Sequence, residues 1–183
     1  MKVITGTARG RKLKALEGTD VRPTTDGVKE AIFSAIQFEI EGRTVLDLFA
    51  GTGQLGIEAL SRGAEKAFFV DNSAASIKVI KENIAHVGFE DKASVHNIPN
   101  SAFLKSCASK IDVALLDPPY EHKLIQKSLP KLTEIMSENG VIVCEHEQGC
   151  KLPEEVNGFT VSKVYRHGKT EITIYRKNLP DEE

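Results

Sequence analysis

The chain has 183 residues, 40% of them hydrophobic, and its 24 lysines and arginines nearly balance its 26 aspartates and glutamates, for a net charge of −2. That length suffices for one sizeable core in a single domain with at most a small appendage, and the charge balance excludes a protein that coats nucleic acid indiscriminately, because such binding needs many phosphate contacts. The opening MKVITGTARGRK has no apolar signal region and no charge-free apolar run approaches the roughly 18 residues of a membrane span, so a soluble, cytoplasmic protein with no membrane role is expected. Cys107, Cys144 and Cys150 form no C-x-x-C pair and the histidines lack metal-ligand spacing, so the thiols read as reduced and structural and no metal is expected.

From the N-terminus, Val3 to Leu16 alternates loosely around Gly6 and Gly10, with Gly18 beyond, which predicts a short hairpin outside the main core. Lys2, Arg9, Arg11, Lys12 and Lys14 all precede the first acid, Glu17. On charge alone, this basic stretch fits a solvated terminus as well as a nucleic-acid contact. The expected organisation is a basic hairpin extension over 1–22, a main domain over 23–178 and an acidic tail over 179–183. Within Arg22-Pro23-Thr24-Thr25-Asp26, Pro23 holds the chain extended and Thr25 or Asp26 caps a helix with the apolar face Val28, Ile32, Phe33, Ile36 and Ile40.

From residue 44 the pattern alternates. The runs at 44–49, 67–71, 93–97, 113–117 and 140–146 are short and apolar, as buried parallel strands are, and helical periodicity fills the gaps between them. After Pro153, FTVSKVYRHG and KTEITIYRK alternate on either side of Gly168 and predict an antiparallel hairpin. The expected fold is α/β: a Rossmann-like, doubly wound, mostly parallel sheet of seven strands closed by that C-terminal hairpin, with the small N-terminal β-hairpin as an extension.

Val45 to Gly56 reads as a strand, a glycine-rich turn and a helix starting near Gln54. Gly51 and Gly53 let the backbone turn tightly and approach a ligand at the strand's carboxyl end. Asp71 ends the next strand, about twenty residues on, where a carboxylate can accept both hydroxyls of an adenosine ribose. Gly51, Gly53 and Gly56 alone spell the G-x-G-x-x-G of a nicotinamide-dependent oxidoreductase. Asp47 argues otherwise, because a carboxylate there opposes a pyrophosphate and suits a cationic amino-acid end such as the ammonium of S-adenosylmethionine. The alternative for Asp47 is that it only organises the glycine loop by accepting its N–H groups.

The fourth strand ends in Asp117-Pro118-Pro119-Tyr120 at the same edge. Two prolines remove two backbone donors and leave carbonyl acceptors, which suits an amine substrate. The exocyclic amine of a nucleobase is a poor nucleophile, since its lone pair is delocalised into the ring. If Asp117 and the Pro118 carbonyl accept both its hydrogens, they favour the pyramidal nitrogen that attacks and stabilise the charge that develops on it. Tyr120 can stack on the base, a contact worth roughly 1–3 kcal/mol. An ordinary turn after a strand is the alternative for the tetrapeptide alone.

Taken together, Ile4 to Leu13, Arg22 to Asp26, Leu46 to Gly53 with Gly56, Glu58 and Ala59 to Arg62, and Asp117 to Tyr120 resemble the RsmD family nearly end to end. That family methylates N2 of one guanine in bacterial small-subunit (16S) ribosomal RNA, with S-adenosylmethionine as cofactor. By this resemblance Asp47, Gly51, Gly53 and Asp71 bind the cofactor, with Phe49, Thr52 and Asn72 beside them, and Asp117, Pro118, Pro119 and Tyr120 hold the guanine. Arg9, Arg11, Lys12 and Arg22 then contact RNA phosphates while a flipped-out or loop guanine enters the pocket, with a small-subunit ribonucleoprotein as the expected partner.

Three positions depart from the family pattern. Asn97-Ile98-Pro99-Asn100 replaces the usual polar residue and alanine near the adenine, which leaves Asn100 as the expected contact. Gly27 stands where relatives often carry arginine, and His167 where tyrosine is common. A DNA adenine-N6 methyltransferase, a protein glutamine-N5 methyltransferase and a cofactor-binding domain without catalysis remain alternatives. His86, His96, His122 and His146 read as surface or packing residues, and Asn83 as structural.

Overall fold

Five apolar strands run parallel because a helix returns the chain to the same end of the sheet after each of the first four. The computed structural model describes residues 1–18, 24–120 and 123–178. The parallel strands are β1 (Thr44–Asp47), β2 (Lys66–Asp71), β3 (Ala93–Asn97), β4 (Ile111–Leu116) and β5 (Met136–Glu147). β7 (Phe159–His167) and β8 (Thr170–Lys177) form the expected antiparallel hairpin, and β8 pairs antiparallel with β5. The seven expected strands are present, and the two-residue β6 (Glu155–Val156), too short to show any periodicity, adds an eighth. Their order is β3-β2-β1-β4-β5-β8-β7-β6, so the winding direction switches between β1 and β4.

Alternation along the strands separates two cores. Val45, Ala67, Phe69, Val113, Leu115, Val141 and Val143 face one side, under α1 (Asp26–Ala35), α2 (Gln54–Ser61) and α3 (Ala74–Val87). Leu46, Phe68, Val70, Ala114, Leu116, Ile142 and Cys144 face the other, under α4 (Asn100–Ser106) and α5 (Leu124–Ile135). Thr25 caps α1 by accepting from Val28 N. That helix ends at Ala35, so Ile36 and Ile40 reach the core from beyond its end, and the expected continuous face is interrupted by the turn in which Glu39 N donates to Ile36 O.

The N-terminal hairpin is present as a single antiparallel bridge, Lys2 with Lys12, flanked by Val3 N to Arg11 O at 2.9 Å and Gly10 N to Val3 O at 2.8 Å. The expectation that it lies outside the main core is corrected. Val3, Ala8 and Leu13 are buried in the first core, and the hairpin covers the outer side of α2, every residue of which is buried. Burying that helix face buries Glu58, and the segment docks by satisfying it. Glu58 accepts from Ile4 N at 2.9 Å, Thr5 N at 3.0 Å and Arg62 Nε at 3.0 Å, and faces the buried Lys29 Nζ at 3.9 Å. Ser61 Oγ accepts from Ala8 N and donates to Thr5 O. Arg22, Pro23 and the acidic tail at 179–183 lie outside the described residues.

Because breaking a buried ion pair strands the remaining charge, Glu58→Ala is expected to destabilise the fold by about 3–5 kcal/mol, and Glu58→Gln, which keeps one acceptor oxygen, by less. Urea unfolding measures both. An alanine variant as stable as the parent would mean that the hairpin is not held through Glu58.

Candidate active site

The switch between β1 and β4 opens a crevice at the carboxyl ends of the strands, where ligands of open α/β sheets bind. β1 delivers Asp47 into it. After Asp47 the chain turns through Gly51 and Gly53, at φ 58° and 83°, and enters α2 with no side-chain cap. The orphan amides of that first turn need acceptors, and Asp47 Oδ2 takes Gly56 N at 3.0 Å. A side chain at Gly56 would place its Cβ 2.4 Å from the ring of Phe69, so glycine lets α2 settle onto β2 close enough for this bond. Asp47 thus does organise the start of the helix, but with one oxygen only. Its Oδ1 is buried and has no hydrogen-bond partner, alone in this among the buried side-chain oxygens and nitrogens of the described residues.

Asp71, at the end of β2, holds the loop from the other side. Its Oδ2 accepts from Gly51 N at 2.9 Å and its Oδ1 from Ser73 N at 2.9 Å. Each oxygen keeps a further lone pair for a ligand hydroxyl. Asn83 on α3 ties the loop to the N-terminal segment: its amide donates to Thr52 O and Lys14 O, and its oxygen accepts from Lys14 N. Phe49 packs against the second core, and Asn72 stands exposed beside Asp71. Asn100, the first residue of α4, donates to Ser128 Oγ on α5 at 2.9 Å.

Asp117, Pro118, Pro119 and Tyr120 follow β4 at the same edge, with Pro118 buried and Tyr120 half exposed. Register pairs Asp47 with Leu115, so Asp117 is two residues further along the neighbouring strand on the same face. Two further residues complete this end of the crevice and escaped sequence reasoning. The Thr24 hydroxyl donates to Asp117 Oδ2 and lies 3.2 Å from Glu145 Oε2, on β5. Thr24 was legible only as part of a motif before the helix; the signal for Glu145 was a carboxylate inside a buried strand at the sheet's ligand edge. Glu145, Pro118, Pro119, Tyr120 and His146 line a cleft of about 120 Å³.

The electrostatics follow from burial. Asp47 is pushed up to about 7, chiefly by burial and also by the charges of Asp117 and Asp71, against the pull of the Gly56 amide. Glu145 is pushed up to about 8 by burial and by Asp117, and burial raises Asp117 as well. Such an edge favours a cation or a donor-rich ligand.

Arg9, Arg11 and Lys12 are exposed on the hairpin, and Arg11 donates to His86 O at 3.2 Å. Arg22 and His122 lie outside the described residues. Gly27 and His167 meet: a Cβ on Gly27 would lie 2.7 Å from His167 Nε2, so the small residue makes room for the imidazole. His146 is buried with Nε2 2.7 Å from Thr173 Oγ1, and His96 packs by Phe68 and Phe103. Among the described residues no helix is long and apolar enough to cross a membrane, and no three His, Cys, Asp or Glu side chains are grouped to hold a metal ion.

The model of the family described as "Conserved hypothetical protein 95" matches residues 1–176. The chain is 40% identical over 182 residues to "Putative rRNA methyltransferase YlbH" of Bacillus subtilis, covering 97% of this chain and 99% of the relative. It is 35% identical over 153 residues to "Ribosomal RNA small subunit methyltransferase D" of Haemophilus influenzae, covering 81% and 79%. The solved structure titled "Putative methyltransferase yhhF from Escherichia coli" superposes with a TM-score of 0.87 at 27% identity, over 97% of this chain and 98% of that one.

The raised carboxyl of Asp47 sets a pH dependence of stability. Between its unfolded value near 3.9 and about 7 the folded chain keeps a proton that the unfolded chain has lost, so the contribution of this group falls as pH rises through that window. Asp47→Asn, which cannot ionise, is expected to match the parent near pH 4 and to exceed it by roughly 2–4 kcal/mol at pH 8. Denaturant unfolding at the two pH values reads the difference, and a gap that does not widen with pH would contradict the assigned burial.

Proposed function

The chain belongs to the RsmD family of ribosomal RNA methyltransferases, and from that membership we propose that it transfers a methyl group from S-adenosylmethionine to the exocyclic N2 of a guanine in 16S ribosomal RNA. The observation that carries the reading is the buried, unpartnered Oδ1 of Asp47 at the same sheet edge as Asp117-Pro118-Pro119-Tyr120. An orphaned carboxylate oxygen fits an ammonium and not a pyrophosphate, which disfavours a nicotinamide-dependent oxidoreductase.

S-adenosylmethionine, when bound, supplies the methyl group from its sulfonium. Asp47 is the residue to hold its ammonium, Gly51, Thr52 and Gly53 give the backbone a close approach, and Asp71 keeps acceptor capacity for the ribose hydroxyls. Phe49 and Asn72 belong to the same proposed site, and Asn100, the first residue of α4, is the proposed contact to the adenine. Asp117 and the Pro118 carbonyl accept the two hydrogens of the guanine amine, which frees its lone pair for attack, and Asp117 takes the proton that the nitrogen must lose. Tyr120, a half-exposed residue, stacks on the base. Holding nitrogen and methyl carbon in line contributes much of the remaining rate.

Arg9, Arg11 and Lys12, with Arg22, bind RNA phosphates and set the enzyme's orientation. One small basic hairpin is a modest surface for a large RNA, so a small-subunit ribonucleoprotein is proposed to supply part of the docking surface. In domain terms, residues 1–22 serve RNA contact and 23–178 catalysis, with 179–183 as an acidic tail.

The test is transfer of labelled methyl to unmethylated small subunits, naked ribosomal RNA and duplex DNA in parallel, followed by nucleoside analysis. N2-methylguanosine from the ribosomal substrates alone is expected, with the subunit the better substrate; N6-methyladenine in DNA, or no transfer to any of them, would overturn the reading. Asp117→Ala is expected to lower kcat by about a hundredfold or more with cofactor affinity nearly unchanged, whereas Asp47→Ala weakens cofactor binding first. Calorimetric titration of cofactor separates the two, and equal losses of affinity would refute the division of roles. Because Asp47 must give up a proton to hold an ammonium, cofactor affinity is also expected to fall as pH drops below about 7 and to lose that dependence in Asp47→Asn.

A further inference from the structure

Glu145 is a carboxylate in an apolar strand, 5% exposed, and the division of roles above does not use it. β4 and β5 run parallel with Leu116 opposite Cys144. Both of those side chains enter the second core, so the next residues along, Asp117 and Glu145, stand side by side on the opposite face. The Thr24 hydroxyl braces the pair, reaching Asp117 Oδ2 and Glu145 Oε2. Glu145 meets the Thr24 hydroxyl through Oε2 and shares a hydrogen bond with the neighbouring Asp117 carboxyl, and the residue lines the cleft that Pro118, Pro119 and Tyr120 also line. A carboxyl kept in such surroundings without a cation among the described residues is a cost to the fold, which points to a ligand donor that it meets.

We propose that Glu145 determines base specificity: its carboxylate accepts the N1–H of the guanine whose N2 amine Asp117 and Pro118 hold. This inference rests on the guanine-N2 reading above. Guanine presents N1–H and N2–H₂ as neighbouring donors, and two adjacent carboxyls match that edge. Adenine and 2-aminopurine present an amine beside a bare ring nitrogen, whose lone pair faces the Glu145 carboxylate with no hydrogen between them. Recognition of one base edge by a matched pair of polar groups discriminates roughly ten- to hundredfold, because the mismatched partner leaves a buried group unpaired.

The experiment compares, at pH 8.5 and so above the value of about 8 to which Glu145 is pushed, small subunits reconstituted with guanine or 2-aminopurine at the mapped methylation position, with kcat/KM measured for the parent and for Glu145→Gln. The parent is expected to prefer guanine by about tenfold or more. The glutamine amide either accepts from N1–H or donates to a bare N1, so the variant is expected to bring the two substrates within about threefold of each other. A variant that slows both substrates equally and keeps their ratio would show that Glu145 only braces Asp117 through Thr24, and the proposal falls while the guanine-N2 reading stands. A parent that uses 2-aminopurine as well as guanine overturns the proposal without recourse to any variant. A parent that methylates no guanine removes both.

Discussion

Four adjacent strands end in carboxylates at one edge of the sheet: Asp71 at the end of β2, Asp47 at the end of β1, Asp117 just past β4, and Glu145 near the end of β5. Like charges a few ångströms apart in a poorly solvated crevice cannot all ionise at little cost. The fold meets this constraint locally, with two backbone amides on Asp71, one on Asp47, and a shared hydroxyl between Asp117 and Glu145. These donors are too few. Asp47 and Glu145 remain pushed up to about 7 and about 8, so the edge is stabilised by whatever brings positive charge or hydrogen-bond donors into it. The proposed affinity for a cationic cofactor and for an amine-bearing base would draw on the same deficit.

The surrounding architecture keeps that edge in place. α2 starts directly from the glycine loop, and the N-terminal hairpin buries its far side through Glu58, Ser61 and the buried Lys29. Lys29 in turn donates to Lys2 O and lies 3.3 Å from Gln54 Oε1, while Gln54 donates to Thr24 O. Asn83 closes a second link, between the hairpin's end and Thr52 of the loop. The hairpin and the carboxylate edge are therefore joined through continuous hydrogen bonds.

Charge is segregated in a way that suits the proposed substrate. The hairpin carries Arg9, Arg11 and Lys12 outward, whereas the crevice is acidic. In the proposed complex RNA phosphates would be attracted to the first and repelled by the second, which would hold the backbone outside while a neutral base with amine donors enters. The near-zero net charge of the whole chain conceals this division.

Local patterns by themselves determined the strand and helix succession, because burial on both faces forces apolar runs and because Thr25, Gly53 and Pro118 act on their immediate neighbours. They also determined the chemical character of the edge, since Asp47, Asp71 and Asp117 each end or follow a strand whose direction the alternation fixes. Tertiary packing alone decided the rest. The free oxygen of Asp47 depends on how closely α2 rests on Phe69. The union of Thr24 with Asp117 and Glu145 spans 93 and 121 residues of chain. The placing of the hairpin inside the core depends on Glu58, a residue that in an isolated helix would face water. Each of these is a match between groups distant along the chain, and periodicity reports only which face a residue takes, not what it meets there.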